Sequence, residues 1–460
     1  MHKTPNFSVW TYLLFPGIAM LLGWGLRGHI GGGPFGAMIP GAMVALAISM
    51  LLGFRAGFTS LIVVFGIVGV GLGGEMTYGQ TLGFLRNPET MWWGNLATTV
   101  KGAVWGLGAG AILGLGLIHK RISQKTILIA LIVLLLGILI GFKMINDTKF
   151  IYFSDPINKP RDESWAGLLF GAMAVLIYLK IKIQTTEFKI VLRFAKWGLI
   201  SGGLGFGLGG LWMVWGSYVP DAMFRSWWKM MEFTFGLLLG AGLGYAAWLS
   251  RNDFDREKEE EETPAKIEIW KEILLVLVIA MGVYWWYPML LEPLADNLNY
   301  DGGLFEGIVG DVSRMFVNYA FYGLIMILIA LYRKELAWQV GITLTFCHAA
   351  IDMMRDIRPQ PDVTVNPWIQ LVAVIILTMI IANLVAKHRH GQHINNAMFQ
   401  ILVWSTIFIS LENLGLDLWF EGGIKDTGFW NIYFRRFFVD TVFLISAIYV
   451  SRKSLSIMNI

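Results

Sequence analysis

The sequence predicts an all-α integral membrane protein that crosses a bilayer about fourteen times. The chain of 460 residues is 56% hydrophobic and only 15% charged, whereas soluble domains carry about 25% charged residues. Apolar stretches long enough to span a bilayer recur from one end of the chain to the other. Many of the 53 glycines are spaced by four within these stretches, which is typical of helices that pack closely in membranes.

Apolar windows of about 17–25 residues mark the candidate spans. Twelve to fourteen spans are expected, because the first two windows and the window at 336–354 are the weakest. The windows lie at 9–25, 36–53, 58–75, 95–118, 126–145, 164–182, 194–212, 228–249, 270–288, 312–332, 336–354, 367–386, 397–414 and 433–451.

The distribution of charge predicts the orientation. With fourteen spans, alternate connections fall on opposite sides of the membrane. The side that includes both termini holds 21 of the 36 Lys and Arg residues but 11 of the 32 Asp and Glu residues. Cytoplasmic loops are rich in Lys and Arg, so both termini are expected in the cytoplasm and the protein in the plasma (inner) membrane. The histidines expected in solvated turns on this side are His119, His388, His390 and His393.

A charged linker at 251–266 divides the chain into a transmembrane part at 1–250 and a C-terminal transmembrane part at 267–460. The linker contains a run of glutamates followed by Thr-Pro, a composition that favours a solvated segment. The first part is predicted to have eight helices and the second part six.

The N-terminal part reads as a duplication. A Gly-x-Gly-x-x-Gly run at Gly69–Gly74 is followed by Trp92–Trp93 and then by glycines spaced by four, and the same order recurs at Gly205–Gly210 and Trp227–Trp228. Units of four helices are predicted to be parallel repeats. Their limits are 9–120 and 126–250. The spaced glycines are predicted to be faces for helix packing; they are Gly102, Gly106, Gly110, Gly114, Gly236, Gly240 and Gly244.

Polar and charged residues gather in the connections predicted to face outward. His348, Asp352 and Arg355 share one face of a helix, because they lie at offsets of 0, 4 and 7 residues. Carboxylates, arginines and indoles suit a charged or polyhydroxylated ligand. The simpler interpretation is that the Trp pairs anchor the chain at the interface and that Asp–Arg pairs tie loops together. The candidate ligand-binding residues are Arg27, His29, Glu75, Tyr78, Gln80, Asp221, Arg225, His348, Asp352, Arg355, Glu412, Asn413 and Asp417.

Several classes of function lack their motifs. The formal charge of +4 is scattered and does not suggest a nucleic-acid partner. The one cysteine, Cys347, excludes an internal disulfide and a cysteine-ligated metal site. No metal motif, nucleotide-binding Walker segment or catalytic serine elbow occurs, and the Gly69–Gly74 run follows no strand, so no metal and no cofactor is expected.

Two functions of different classes fit these observations best. The first is a secondary transporter of a small polar solute, such as a sugar or an organic anion, with a site that opens to the extracytoplasmic face. The second is a membrane-embedded enzyme, for example a transferase acting on a lipid-linked or glycan substrate at that face. A non-catalytic subunit of a membrane complex, or a homo-oligomer, remains a further alternative. A site near the middle of the bilayer favours transport, whereas a cleft at the membrane face favours the enzyme.

Overall fold

Every secondary-structure element in the part of the chain that the structure describes is helical. The structure is a computed structural model. It describes residues 7–30, 32–219, 224, 226–254, 267–281, 319–356, 366–391, 393–420 and 437–458.

The described residues form sixteen α-helices. Those of the N-terminal part are α1 (Val9–Ile30), α2 (Gly33–Gly36), α3 (Met38–Leu51), α4 (Ala56–Leu72), α5 (Gly79–Phe84), α6 (Met91–Leu117), α7 (Gln124–Gly141), α8 (Trp165–Lys182), α9 (Thr185–Gly216) and α10 (Trp227–Ser250). Those of the C-terminal part are α11 (Ile269–Met281), α12 (Tyr319–Tyr332), α13 (Thr345–Asp356), α14 (Pro367–His388), α15 (Ile394–Phe420) and α16 (Phe438–Met458).

Within these ranges, 11 helices are long and apolar enough to cross a membrane. A polytopic helical membrane protein is therefore what the fold supports. The 11 helices coincide with eleven of the predicted windows. The other three windows, 270–288, 312–332 and 336–354, overlap shorter helical stretches of the described chain. The total of fourteen spans, the orientation and the choice of membrane stay predictions.

Helices α6 and α9 touch through their backbones. A Cβ atom on Gly106 would overlap the carbonyl group of Gly198, and a Cβ atom on Gly102 would overlap the carbonyl oxygen of Gly202. Close approach of this kind gains dispersion energy along the whole contact. The glycine spacing of α6 therefore marks a packing face, as the sequence predicts.

Helices α1 and α10 pair in a similar way. A Cβ atom on Gly236 would lie 2.7 Å from the carbonyl oxygen of Met20, and one on Gly240 would overlap that of Pro16. Helix α10 also packs on α9. The four helices α1, α10, α9 and α6 thus form a continuous row, and the end of α1 and the start of α10 contribute to the candidate site.

The two Gly-x-Gly-x-x-Gly runs make comparable contacts. A Cβ atom on Gly69 of α4 would lie 3.0 Å from the carbonyl oxygen of Ala109 on α6, and one on Gly205 of α9 would lie 3.0 Å from the ring of Phe235 on α10. Each run packs against the long helix that follows it, which is the arrangement expected of a repeat. The duplication and the domain limits themselves stay predictions.

Two basic side chains of the predicted solvated turns are buried instead. The ring of His119 stacks on Phe58 with centroids 4.7 Å apart, and its Nδ1 lies 2.7 Å from the carbonyl oxygen of Gly116. Arg389, in the turn after α14, pairs with Glu272, and the two side chains are 6% and 0% exposed. The expectation of a solvated turn is therefore wrong for His119, because the ring of Phe58 covers it. The spacing of hydrophobic residues in the sequence does not reveal this contact.

Candidate functional site

A cavity of about 580 Å³ lies at the end of the bundle where α1 and α4 end and α10 begins. Small-molecule sites commonly have volumes of about 300–1,000 Å³. Four segments that are distant in sequence line the cavity, which we call the Arg27 pocket. They are the end of α1 with the start of the connection to α3 (27–28 and 32–33), and the stretches 74–80, 154–161 and 228–232.

Arg27, in the last turn of α1, is fixed from several sides. Its Nε donates a hydrogen bond of 3.2 Å to the carbonyl oxygen of Gly33, and its Nη1 donates one of 2.7 Å to the hydroxyl of Tyr78. The guanidinium carbon lies 5.3 Å from the ring centroid of Trp24 and 5.4 Å from that of Trp105, within cation–π range. Arg27 is only 4% exposed. A guanidinium has five N–H donors, and those with no partner among the described residues can donate to a ligand in the pocket.

Two glycines allow this wall to form. Gly33 has a φ of +66°, a left-handed conformation that costs glycine little, and the carbonyl group of this residue accepts from Arg27. At Gly28, a Cβ atom would overlap the carboxylate of Glu232. The bare backbone of Gly28 therefore lets a charged side chain of α10 reach α1.

Glu232 forms the facing wall and has its own partners. Its Oε1 accepts a hydrogen bond of 3.0 Å from the indole of Trp228, and its Oε2 accepts one of 2.6 Å from the ammonium of Lys229. Glu232 is 1% exposed. A buried carboxylate is stable only when it is paired, so the charge of Glu232 is balanced locally by Lys229.

Tyr78 lies between these two walls, outside the candidate spans. Burial raises the pKa of Tyr78; the nearby Arg27 opposes this rise and Glu232 adds to it. The phenol is therefore protonated at neutral pH. Because its oxygen accepts from Arg27, its own hydrogen can be donated to a ligand.

Aromatic rings pack behind Arg27 and Tyr78. Tyr78 contacts Phe206 with centroids 5.2 Å apart, and Phe206 stacks on Phe235 at 3.8 Å. Beside them, Trp24 meets Trp105 edge to face at 4.7 Å. These four rings behind Tyr78, each at most 1% exposed, are called the aromatic floor. They form a buried apolar layer behind the two residues.

The segment between α7 and α8 forms the rim. Gln80 holds this segment at two points: its Nε2 donates to the carbonyl oxygen of Lys159 and its Oε1 accepts from the amide of Asp155, both at 3.0 Å. The Thr77 hydroxyl donates to another carbonyl group of the same segment at 3.0 Å. The side chains of Lys159 and Arg161 are exposed at this rim. Gln80 thus positions two cations at the mouth of the pocket.

A buried ion pair supports the rim from below. The ammonium of Lys101 on α6 lies 2.9 Å from Oε1 of Glu163, which precedes α8. The same ammonium donates to the carbonyl oxygen of Thr77 at 2.6 Å. Glu163 also accepts hydrogen bonds of 2.8 Å from the Ser154 hydroxyl and 3.0 Å from the Phe153 amide. Thr77 and Ser154 both line the pocket, so this pair sets the position of its wall.

Glu75 and His348 belong to a neighbouring cluster. The Glu75 carboxylate accepts a hydrogen bond of 2.7 Å from the amide of Tyr319. The ring of Phe35 lies 5.3 Å from that of Tyr319 and stacks on His348 at 4.6 Å. This cluster joins α2 and the end of α4 to the C-terminal part. The residues on either side of Glu75 line the Arg27 pocket, but the described contact of its carboxylate is with Tyr319.

The structure therefore brings Arg27, Tyr78 and Gln80 into one cavity, and places Glu75 and His348 beside it. Whether these residues bind a ligand stays a prediction. The other candidates lie outside the described residues, either as whole residues or as side chains. They are Asp221 and Arg225, and the side chains of His29, Asp352, Arg355, Glu412, Asn413 and Asp417.

Sequence reasoning missed Lys101 and Glu232, and it gave no pocket role to Trp228. Ionisable residues inside apolar spans are costly and usually functional, so Lys101 and Glu232 carried a signal that could have found them. Trp92 and Trp93 are exposed, which fits an interfacial role, whereas Trp228 lines the pocket.

No protein-family model, curated protein or solved structure matches this chain.

Proposed function

We propose that the protein is a secondary transporter of a small polar solute with an anionic group, and that the Arg27 pocket binds this solute. The observation that carries the proposal is the charge of the pocket. Arg27 is buried and fixed in its wall, and Lys159 and Arg161 stand at its rim. The carboxylate in the lining, that of Glu232, is paired with Lys229. The cavity is thus cationic and large enough for a small solute.

The origin of the lining also supports transport. The lining residues at 27–28, 32–33 and 74–80 belong to the first predicted repeat, and those at 154–161 and 228–232 belong to the second. Substrate sites of many secondary transporters lie between structural repeats. In the predicted topology, the pocket faces the extracytoplasmic side.

The aromatic floor acts as the closed inner gate in this proposal. Its rings come from four different helices: Trp24 from α1, Trp105 from α6, Phe206 from α9 and Phe235 from α10. Alternating access requires one group of helices to move relative to another around the site. Passage of a solute toward the opposite face would require these rings to separate.

One observation favours a second candidate, an enzyme that acts on a lipid-linked or glycan substrate at the membrane face. Arg27 lies in the last turn of α1, and Glu232 lies within the first two turns of α10. The pocket is therefore at the helix ends, whereas transporter sites usually lie near the middle of the bilayer. A dry floor beneath a polar cavity also suits a catalytic site that excludes water from one side.

Uptake by reconstituted protein tests the proposal. Proteoliposomes would be given radiolabelled gluconate, glutamate, inorganic phosphate, glycerol 3-phosphate and glucose 6-phosphate, each compared with protein-free liposomes. We expect at least one solute to accumulate, and Arg27→Gln to abolish its uptake. Arg86→Gln is the matched control, because Arg86 is exposed near the same end of the bundle and does not line the pocket.

Absence of uptake for every anion would contradict transport of this class. Binding of an anion without uptake, together with its transfer to or from a lipid-linked donor, would favour the enzyme.

A further inference from the structure

Glycines make up five of the fifteen residues that line the Arg27 pocket. Gly28 and Gly74 are explained by packing, because a Cβ atom on either would overlap Glu232 or Pro34. Gly32 and Gly33 differ, because no described atom lies within 4 Å of their Cβ positions. Among the described residues, the space beside these two glycines is open.

Among the described residues, no contact requires Gly32 to lack a side chain. Its backbone is extended, with φ −84° and ψ −157°, and its negative φ is one that residues with side chains adopt. Because Gly32 has no side chain, the peptide groups on either side of it are accessible from the cavity. In the described part of the chain, no backbone partner is found for the N–H groups of Gly32 and Gly33. Bare backbone N–H groups beside a cavity are common partners of bound anions.

The charges around these amides suit an anion with more than one negative charge. Arg27 offers its remaining donors from the wall, and Lys159 and Arg161 add two cations at the rim. The charge of Glu232 is offset by Lys229 at 2.6 Å. A carboxylate carries one negative charge and two oxygens, whereas a phosphate monoester carries about 1.5–2 negative charges and three acceptor oxygens at neutral pH.

The donors are also arranged on several sides. Tyr78 can donate its hydroxyl hydrogen beside Arg27, and the Gly32–Gly33 amides come from the connection that follows α1. Three oxygens on one tetrahedral centre can use donors from different directions at once, which a planar carboxylate does less well.

We propose that the Arg27 pocket recognises a phosphoryl group, held by Arg27, Tyr78 and the Gly32–Gly33 backbone, with Lys159 and Arg161 at the rim. The inference rests on the proposed function in that both use this pocket, and it names the substrate class. The phosphoryl group can belong to a soluble phosphate ester or to a lipid headgroup.

Binding to the purified full-length protein tests the proposal. Titration calorimetry would compare glycerol 3-phosphate with glycerate, which has a carboxylate in place of the phosphate ester. Glycerol 3-phosphate is expected to bind at least about tenfold more tightly, the difference expected from one additional charge-assisted hydrogen bond.

Gly32→Ala is the most discriminating test of the role of the Gly32–Gly33 backbone. Its methyl group meets no described atom, so the melting temperature without ligand should match that of the wild type. Affinity for glycerol 3-phosphate should fall at least about tenfold, because the methyl group occupies the space of the ligand. Gly83→Ala is the matched control: Gly83 also has no described atom within 4 Å of its Cβ position and lies outside the pocket. It should leave affinity unchanged.

A second titration, with a lipid as the ligand, distinguishes the two sources of the phosphoryl group. The site would be assigned to a lipid headgroup if short-chain phosphatidic acid binds at least as tightly as glycerol 3-phosphate and its affinity falls in Gly32→Ala. Weaker binding of phosphatidic acid than of glycerol 3-phosphate would assign the site to a soluble ester.

Equal or tighter binding of glycerate, or full affinity in Gly32→Ala, would overturn phosphoryl recognition. If glycerate binds more tightly and is taken up, transport stands and the phosphoryl assignment fails. If glycerol 3-phosphate binds but is not taken up, the phosphoryl assignment stands and transport fails. If no anion binds, both proposals fail.

Discussion

The ammonium of Lys101 and the carboxylate of Glu163 lie 2.9 Å apart, and each side chain is 1% exposed. Their partners are the Thr77 carbonyl and the Ser154 hydroxyl, which both line the Arg27 pocket. The pair therefore connects α6, the connection after α4 and the segment before α8. The shape of the pocket depends on a salt bridge that a ligand does not need to touch.

Removing one charge of this pair should destabilise the protein. Glu163→Gln leaves the ammonium of Lys101 buried without a counter-ion, which typically costs about 3–5 kcal/mol. A clear fall in the melting temperature of the purified protein is expected. Asp147→Asn is the control, because Asp147 pairs with Lys143 at 2.8 Å but the two side chains are 50% and 40% exposed. Exposed pairs contribute about 0–1 kcal/mol.

Equal melting temperatures for Glu163→Gln and the wild type would show that the buried pair does not support the fold. A double variant, Lys101→Met with Glu163→Gln, should recover part of the loss, since no uncompensated charge then remains.

Adding a single methyl group to the α6–α9 contact should be costly. In Gly106→Ala, the new Cβ atom would overlap the carbonyl group of Gly198, so the helices must move apart. Overpacking of this kind costs about 1–3 kcal/mol. Gly108→Ala is the control: Gly108 lies two residues further along the same helix, and no described atom is within 4 Å of its Cβ position. Reduced folded yield and a lower melting temperature are expected for the first variant only; equal behaviour of both would contradict the packing role.

The orientation can be tested with single cysteines in a Cys347→Ala background. Ile157, in the rim segment, is 84% exposed, and Lys125, at the start of α7, is also exposed. Ile157→Cys should react with a membrane-impermeant maleimide added to intact cells, whereas Lys125→Cys should react only after the cells are opened. The reverse pattern would place the pocket on the cytoplasmic side and make the predicted orientation wrong.

The sequence predicts the helices better than it predicts the pocket. Spans follow from apolar length, which is a local property, and spaced glycines report packing because close helix contact leaves no room for a side chain. Arg27, Tyr78 and Gln80 are found because they stand in stretches of unusual polar content that the sequence predicts to be connections.

Other parts of the site depend on which helix faces meet, and a single sequence does not contain that information. Glu232 follows a Trp pair that suggests an interfacial anchor, yet Gly28 on a distant helix admits its carboxylate to the pocket. Glu75 lies between two pocket residues, but the chain ends α4 in a short turn of 3₁₀ helix, and its carboxylate accepts from Tyr319 instead. Local sequence neighbours therefore contribute to different clusters.

The most direct measurement is a cryo-EM map of the full-length protein with a saturating concentration of the anion that gives the highest uptake. Ligand density is expected inside the Arg27 pocket, within hydrogen-bond distance of the Arg27 guanidinium and next to the aromatic floor. No such density is expected for Arg27→Gln at the same concentration. Density that lies instead in the C-terminal part, with the Arg27 pocket empty, would contradict the assignment of this pocket as the solute site.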